Sequence, residues 1–257
     1  QTPGTLWAWG LNSYGQLGIS NQTNYFTPIQ IGSASNWTQV ACGYAHTLAV
    51  QTPGTLYAWG LNSTGQLGTP SLGLINRSSP VQVGTSSWSQ IGAISSHSLA
   101  IRSDNTLWAW GGNGAGQLGQ NDLVHRSSPV QIGTSSWSVI SAGQAYTTGI
   151  KIDSTLWTWG NNGFGQLGNN TFTSSFSSPV QIGSNLWSQV TCGYYHTTAI
   201  QSNGTLWAWG NNGSGQLGDG TTTNKASPVQ IGTNKWFARI SPSIGCHIST
   251  PFKLSHL

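Results

Sequence analysis

The chain has 257 residues, of which only 5% are charged, against roughly 25% in an ordinary globular domain. Eight Lys and Arg against four acidic residues leave a net charge of +4, too dilute for a phosphate-tracking stripe, so no nucleic-acid partner is expected. Hydrophobic residues form 36% of the chain and never run for about eighteen in succession, which excludes a membrane-spanning helix; fourteen Trp carry more burial than a disordered coil would.

In chain order, Gln1 opens the sequence with neither an initiator Met nor a basic and apolar leader, which reads as a processed product or a fragment. The first β-like run is Thr5-Leu6-Trp7-Ala8-Trp9-Gly10, and it returns with small changes at Thr55, Thr106, Thr155 and Thr205. Gly-Gln-Leu-Gly follows at Gly15, Gly65, Gly116, Gly165 and Gly215, and Pro-Val-Gln-Ile-Gly or a near copy at Pro28, Pro80, Pro129, Pro179 and Pro228. A single tryptophan opens the last quarter of each unit: Trp37, Trp88, Trp137, Trp187 and Trp236. Four units close on an apolar strand, Val40 to Val50, Ile91 to Ile101, Ile140 to Ile150 and Val190 to Ile200. A fixed period near 50 residues decides the architecture.

Each unit therefore holds four short β-branched or aromatic runs bounded by Gly, Pro, Asn or Ser. Alternate side chains of Leu6, Trp7, Ala8 and Trp9 point to opposite faces, yet both faces are apolar, so the sheet must be covered on both sides. Four-stranded sheets packed between like neighbours meet that demand, which predicts an all-β fold, a β-propeller of about five blades. The units are 5–54, 55–105, 106–154, 155–204 and 205–250, within one domain spanning 1–250, and 251–257 is a tail outside the repeat. The repeated Trp are expected in the core, at about 4 to 6 kcal/mol each as an upper value; an aromatic ligand cage is the alternative. The first unit lacks a preceding strand, which Phe237 to Thr250 must supply by pairing the two ends of the chain, although Pro242 and the shifted His247 copy the pattern imperfectly.

These motifs resemble repeats of the regulator of chromosome condensation type, which run as tryptophan-glycine, Asn-x-x-Gly-Gln-Leu-Gly, Pro-x-x-Ile and Gly-x-x-His-Thr. Here they read Trp9-Gly10, Asn12 to Gly18, Pro28 to Ile31 and Gly43 to Thr47, and recur over residues 3 to 240. The resemblance implies a propeller fold. It leaves function open, because the family includes a nucleotide exchange factor, secreted β-lactamase inhibitors and many interaction domains, and its best-known members have seven blades where this chain offers five units.

Chemistry-bearing residues are sparse. Asp104 and Asp153 sit in turns before a repeated strand, Asp122 and Asp219 in variable loops, and no paired carboxylates emerge, so no catalytic residue and no cofactor is assigned. His46, His97 and His196 share one position with Tyr146; a local hydrogen bond repeated in each unit is the expected role, with an axial metal ring as the alternative. His125 and His256 stand outside that register and are expected to be exposed. Cys42, Cys192 and Cys246 form no Cys-x-x-Cys pair and are expected as small buried residues, not metal ligands.

Recognition is expected where the units differ. The segments after Gly-Gln-Leu-Gly supply Tyr25, Phe26, Arg77, Arg126, Phe172 and Phe176, the tight turns Tyr14 and Phe164, and the positions beside the repeated His Tyr44, Tyr194 and Tyr195. Aromatic side chains among Ser, Asn and Gly suit a protein partner. The expected function is a non-enzymatic binding or structural scaffold, extracellular or on a particle surface such as a virion, where a subunit of an assembly is one form it could take. Seven Asn-x-Ser/Thr sites, at Asn21, Asn36, Asn62, Asn76, Asn169, Asn203 and Asn212, would permit glycosylation in that setting. The alternatives are a guanine-nucleotide exchange factor for a small GTPase, implied by the resemblance alone, and a secreted enzyme inhibitor.

Overall fold

The computed structural model describes residues 4–173 and 175–236. The segment Phe237 to Thr250 expected to pair the two ends, with Cys246 and His256, lies outside the described residues. Contacts divide the chain into two compact units, Gln1–Asn113 with Val124–Ser135 and Gly114–Leu123 with Ser136–Leu257.

In the first unit β1 (Trp7–Gly10) and β2 (Tyr25–Gln30) form an antiparallel pair. Then β3 (Trp37–Cys42), β4 (His46–Gln51), β5 (Thr55–Gly60) and the start of β6 (Arg77–Ile94) make a four-stranded antiparallel sheet. The end of β6 continues into the next sheet with β7 (His97–Arg102), β8 (Thr106–Gly111) and the start of β9 (Arg126–Ala142). In the second unit the end of β9, β10 (Tyr146–Lys151), β11 (Thr155–Gly160) and the start of β12 (Phe176–Cys192) repeat the pattern. The end of β12, β13 (His196–Gln201), β14 (Thr205–Gly210) and β15 (Lys225–Lys235) repeat it again. A single 3-10 turn, Pro70–Leu72, is the helical content of the described residues.

Two boundaries differ from the sequence reading. The apolar run Val40 to Val50 is two strands, β3 and β4, reversed at Gly43, whose N–H donates to the His46 carbonyl at 2.8 Å. Glycine is required there, because a Cβ would stand 2.1 Å from the His46 ring. Conversely, the Pro-Val-Gln-Ile run and the lone tryptophan after it belong to one strand in β6, β9 and β12, which bends through Gly84, Gly133 and Gly183 at φ +61°, +55° and +60°. The first repeat breaks at this place into β2 and β3, because Pro28 to Trp37 is nine positions where the other four repeats have eight.

The tryptophan expectation holds in part: seven of the fourteen are buried, six are half-buried and Trp9 is exposed. Trp59, Trp110, Trp159 and Trp209 are fully buried, and Trp59, Trp110 and Trp209 each sit in a cluster of aliphatic side chains from neighbouring strands. The lone tryptophan in the last quarter of a repeat meets a strand ring of the next repeat edge-on, as in Trp88 on Trp108 at 6.3 Å and 89° and Trp187 on Trp207 at 6.3 Å and 76°. The N–H groups of Trp88 and Trp187 are buried with no hydrogen-bond acceptor. Trp9 departs from the rule at 61% exposure, because the sheet of β1 and β2 has only two strands among the described residues. Cys42 also departs: it is exposed at the end of β3, while the matching Cys192 and Ala93 are buried.

Candidate partner-binding loops

Strand register gathers the variable segments at one end of each sheet. His46 faces Gly60, His97 faces Gly111, Tyr146 faces Gly160 and His196 faces Gly210, so the tight turn before one strand and the long loop after its partner share an end. Main-chain bonds join them: Leu61 N–H to Ala45 O at 2.8 Å, Gly112 to Ser96 at 2.8 Å, Asn161 to Ala145 at 2.8 Å and Asn211 to Tyr195 at 2.9 Å.

A buried asparagine stiffens each long loop. Asn12, Asn62, Asn162 and Asn212 accept the N–H of Leu17, Leu67, Leu167 and Leu217 at 2.9 to 3.0 Å on their amide oxygen. Their amide nitrogens donate to the far side of the loop, Asn62 to Gly73 O at 2.8 Å and Asn162 to Thr171 O at 2.9 Å. Two of the seven glycosylation motifs, at Asn62 and Asn212, are thereby closed to a glycan, because these side chains are 1% and 0% exposed.

The expected binding residues fall into three groups. At the loop end of the second unit, Phe164 stacks on Tyr195 at 4.7 Å and Tyr195 meets Tyr194 edge-on at 4.6 Å, with Tyr194 half exposed. In the first unit Tyr14 and Tyr44 stand exposed at the same end, and Phe26 is 92% exposed at the start of β2, beside Tyr25. The remainder serve the loops themselves: Arg77 donates to Leu72 O at 3.0 Å, Arg126 to Val124 O at 3.2 Å, Phe172 lies beside Gly165, and Phe176 packs on Tyr146, Leu167 and Cys192.

The repeated His and Tyr do local hydrogen-bonding work. His46 Nε2 lies 2.9 Å from Ser98 Oγ, and Tyr146 donates its hydroxyl to the His196 carbonyl at 2.5 Å. Burial pulls His46 down to about 4, and burial with the neighbouring His46 ring pulls His97 down to about 3, so both rings are neutral near pH 7. Among the described residues no group of three His, Cys, Asp or Glu converges on a point. Asp104 and Asp153 accept from the hydroxyl and N–H of Thr106 and Thr155 at 2.6 to 3.0 Å, and these bonds hold both carboxyls below the usual range. They sit at the opposite end from the aromatic loops, closing the turns that precede β8 and β11. Outside the register His125 is exposed and accepts the Asn113 N–H on Nδ1 at 2.8 Å.

One feature was not anticipated. A cleft of about 390 Å³ opens at the longer connection of the first repeat, walled by Ile19, Ile31, Ala34, Trp37 and Pro80. Its sequence signal is the nine-position spacing, and none of the expected binding residues lines it.

Antiparallel sheets repeating at a fifty-residue period, with a tryptophan core and loops gathered at one end, define an all-β repeat protein of the β-propeller class. The profile of the regulator of chromosome condensation (RCC1) repeat matches residues 3–50, 53–101, 104–150, 153–200 and 203–245, and the chain belongs to that family. A second RCC1 profile matches 37–66, 88–117 and 187–216. Among solved structures the chain is similar to human WBSCR16, with a TM-score of 0.80 and 23% identity over 91% of this chain and 63% of that one. It is also similar to Prp20p from Saccharomyces cerevisiae, with a TM-score of 0.76 and 23% identity over 90% of this chain and 59% of that one. A stretch of 49 residues is 41% identical to the ultraviolet-B receptor UVR8 of Arabidopsis thaliana, covering 18% of this chain and 11% of the receptor. The chain thus spans about three-fifths of these solved neighbours and about a tenth of the receptor.

Proposed function

We propose that the chain is a non-catalytic scaffold that takes a protein partner on the long-loop end of its sheets. The observation that carries this reading is the stack of Phe164, Tyr195 and Tyr194, three large rings held at a loop end by register and main-chain bonds. Rigid aromatic rings bring contact area at little cost in side-chain entropy, and the neutral Asn and Ser around them bring adaptable hydrogen bonds. Alanine at Tyr194 is expected to weaken partner binding at least tenfold, with unchanged affinity overturning the assignment of this surface.

Among partner classes, the comparisons favour the exchange-factor reading over an extracellular or particle-surface role. Prp20p is described with binding properties to Gsp1p and histones, and this chain shares its fold over 59% of its length. The extracellular and virion readings rest on composition alone. A nucleotide-release assay against a panel of small GTPases separates them: acceleration of release supports exchange activity, and none across the panel returns the scaffold to a partner of another class.

A further inference from the structure

The long loop of the second repeat exceeds the other four. Gly68 to Pro80 is twelve positions, against eleven in the fourth repeat and ten in the rest. The added length forms the 3-10 turn Pro70–Leu72, which is tied down from several sides. Leu72 N–H donates to Thr69 O at 3.1 Å, Gly73 N–H to Pro70 O at 3.2 Å, and the buried Asn62 amide to Gly73 O at 2.8 Å. On this fixed loop Leu72, Leu74 and Ile75 are nevertheless exposed, the last two at 57% and 63%. One exposed aliphatic side chain needs no explanation, but three held rigidly in water within four positions mark a contact surface.

The next loop carries the same arrangement. Val124 is 58% exposed, and the Asn113 amide donates to its carbonyl at 3.2 Å. In each loop an arginine grips the carbonyl of an exposed aliphatic residue: Arg77 donates to Leu72 O at 3.0 Å and Arg126 to Val124 O at 3.2 Å. The two loops adjoin, because a Cβ on Gly65, in the turn that opens the first, would stand 2.9 Å from Arg126 O and 2.5 Å from Ser127 Cα. Charge is one-sided there. The acidic residues of the first compact unit reduce to Asp104, which lies at the opposite end with Arg102. The loop end therefore holds Arg77 and Arg126 with no carboxylate, and the exposed rings of Tyr14 and Tyr44 stand at the same end.

We propose that the loop end of the first unit docks on an anionic phospholipid surface, with Leu74 and Ile75 entering the acyl boundary and Arg77 and Arg126 meeting headgroup phosphates. Side-chain type decides between lipid and a pocket on a protein. Protein hot spots are built on Trp, Tyr and Arg, with Leu and Val under-represented, whereas the tips here are Leu, Ile and Val. Binding at a bilayer boundary grows with the apolar area buried and with attraction to anionic lipid, and tyrosine favours the headgroup layer. Each arginine is bound to the main chain at an aliphatic tip, so cation and apolar side chain reach the membrane together. The loop is already fixed, so docking orders little chain. The stack of Phe164, Tyr195 and Tyr194 belongs to the second unit and takes no part.

The test is flotation of the full chain with vesicles of phosphatidylcholine mixed with phosphatidylserine, and with vesicles of phosphatidylcholine alone. Binding is expected to the mixed vesicles and should weaken as salt rises. Leu74→Ser with Ile75→Ser is expected to lower affinity at least about tenfold, the least that burying one such side chain is worth. Both side chains are exposed, so this variant should melt like the parent chain. Arg77→Gln and Arg126→Gln are each expected to lower affinity about fivefold, while Arg77→Lys with Arg126→Lys stays near the parent value, which separates charge from loop geometry. Tyr194→Ala leaves vesicle binding unchanged, so this proposal and the partner-binding reading fail separately. A chain that ignores the mixed vesicles overturns the proposal and leaves the tip to a protein pocket. Equal binding to both kinds of vesicle overturns it too, as does a serine variant that binds like the parent chain.

Discussion

Trp59 donates its indole N–H to the main-chain carbonyl of Gln16 at 2.9 Å, across 43 positions of sequence. Trp59→Phe keeps most of the ring and leaves the carbonyl its bond from Thr47, so it is expected to cost about 1 kcal/mol. Trp59→Ala empties a fully buried site and is expected to cost roughly 3 to 5 kcal/mol. In dilute protein Trp9→Ala, at the exposed counterpart, is expected to stay within about 0.5 kcal/mol. Urea denaturation of the three variants checks the order.

Two glycines share a backbone conformation and differ in their surroundings. Gly68 has φ +70° and a Cβ position 2.7 Å from the Trp110 nitrogen; Gly84 has φ +61° and nothing within 4 Å. Alanine pays left-handed strain of about 1 to 2 kcal/mol at both sites. Overpacking adds about 1 to 3 kcal/mol at Gly68 alone. Equal losses for Gly68→Ala and Gly84→Ala in denaturation would mean that the indole does not rest on Gly68.

Cations cap two of the tryptophan pairs. The Arg102 guanidinium lies 3.5 Å from the Trp108 ring centre and the Lys151 ammonium 3.6 Å from that of Trp157, at a position held by Gln51 and Gln201 in other repeats. Arg102→Gln and Lys151→Gln are each expected to lower stability by about 0.5 to 1 kcal/mol. The loss should be full at about 0.15 M salt, where the screening length of about 8 Å exceeds the contact, and should shrink at about 1 M, where that length falls to about 3 Å.

Stability should fall in mild acid. His46 and His97 are held neutral by burial, at about 4 and about 3. In the unfolded chain both titrate near 6.5, so the unfolded state takes up protons first as pH drops. The contribution of the neutral rings is therefore complete above about pH 6.5 and is lost as pH falls toward the folded values, by on the order of 1.4 kcal/mol per pH unit per ring. Urea titrations between pH 7 and 5 should show this slope, and His46→Gln with His97→Gln should flatten it. Wild type and double variant with equal slopes would place the proton uptake elsewhere.

The strands and tryptophan core were legible in the sequence because each repeat carries the same local pattern, and five copies expose it. The hairpin at Gly43 was not, since Val40 to Val50 is largely apolar on both sides of Gly43 and the reversal depends on a ring folding over a glycine. The fusion of two runs into β6 was hidden because glycine marks both a turn and a bend within a strand. Trp9 looks like its four counterparts in sequence; its exposure depends on which strands lie beside it. At the candidate site, comparing the repeats was enough to find Phe164, Tyr194 and Tyr195. Their stacking needed the register of β10 to β14, which no single segment encodes.

Trp59, Trp110, Trp159 and Trp209 each donate to a main-chain glutamine oxygen of the repeat before, at Gln16, Gln66, Gln117 and Gln166, so each repeat carries both a donor and an acceptor. A duplicated or deleted stretch of fifty residues therefore arrives with its own coupling already cut to gauge. Lineages carrying such chains can lengthen or shorten them by whole modules, leaving natural selection to reshape only the outward loops.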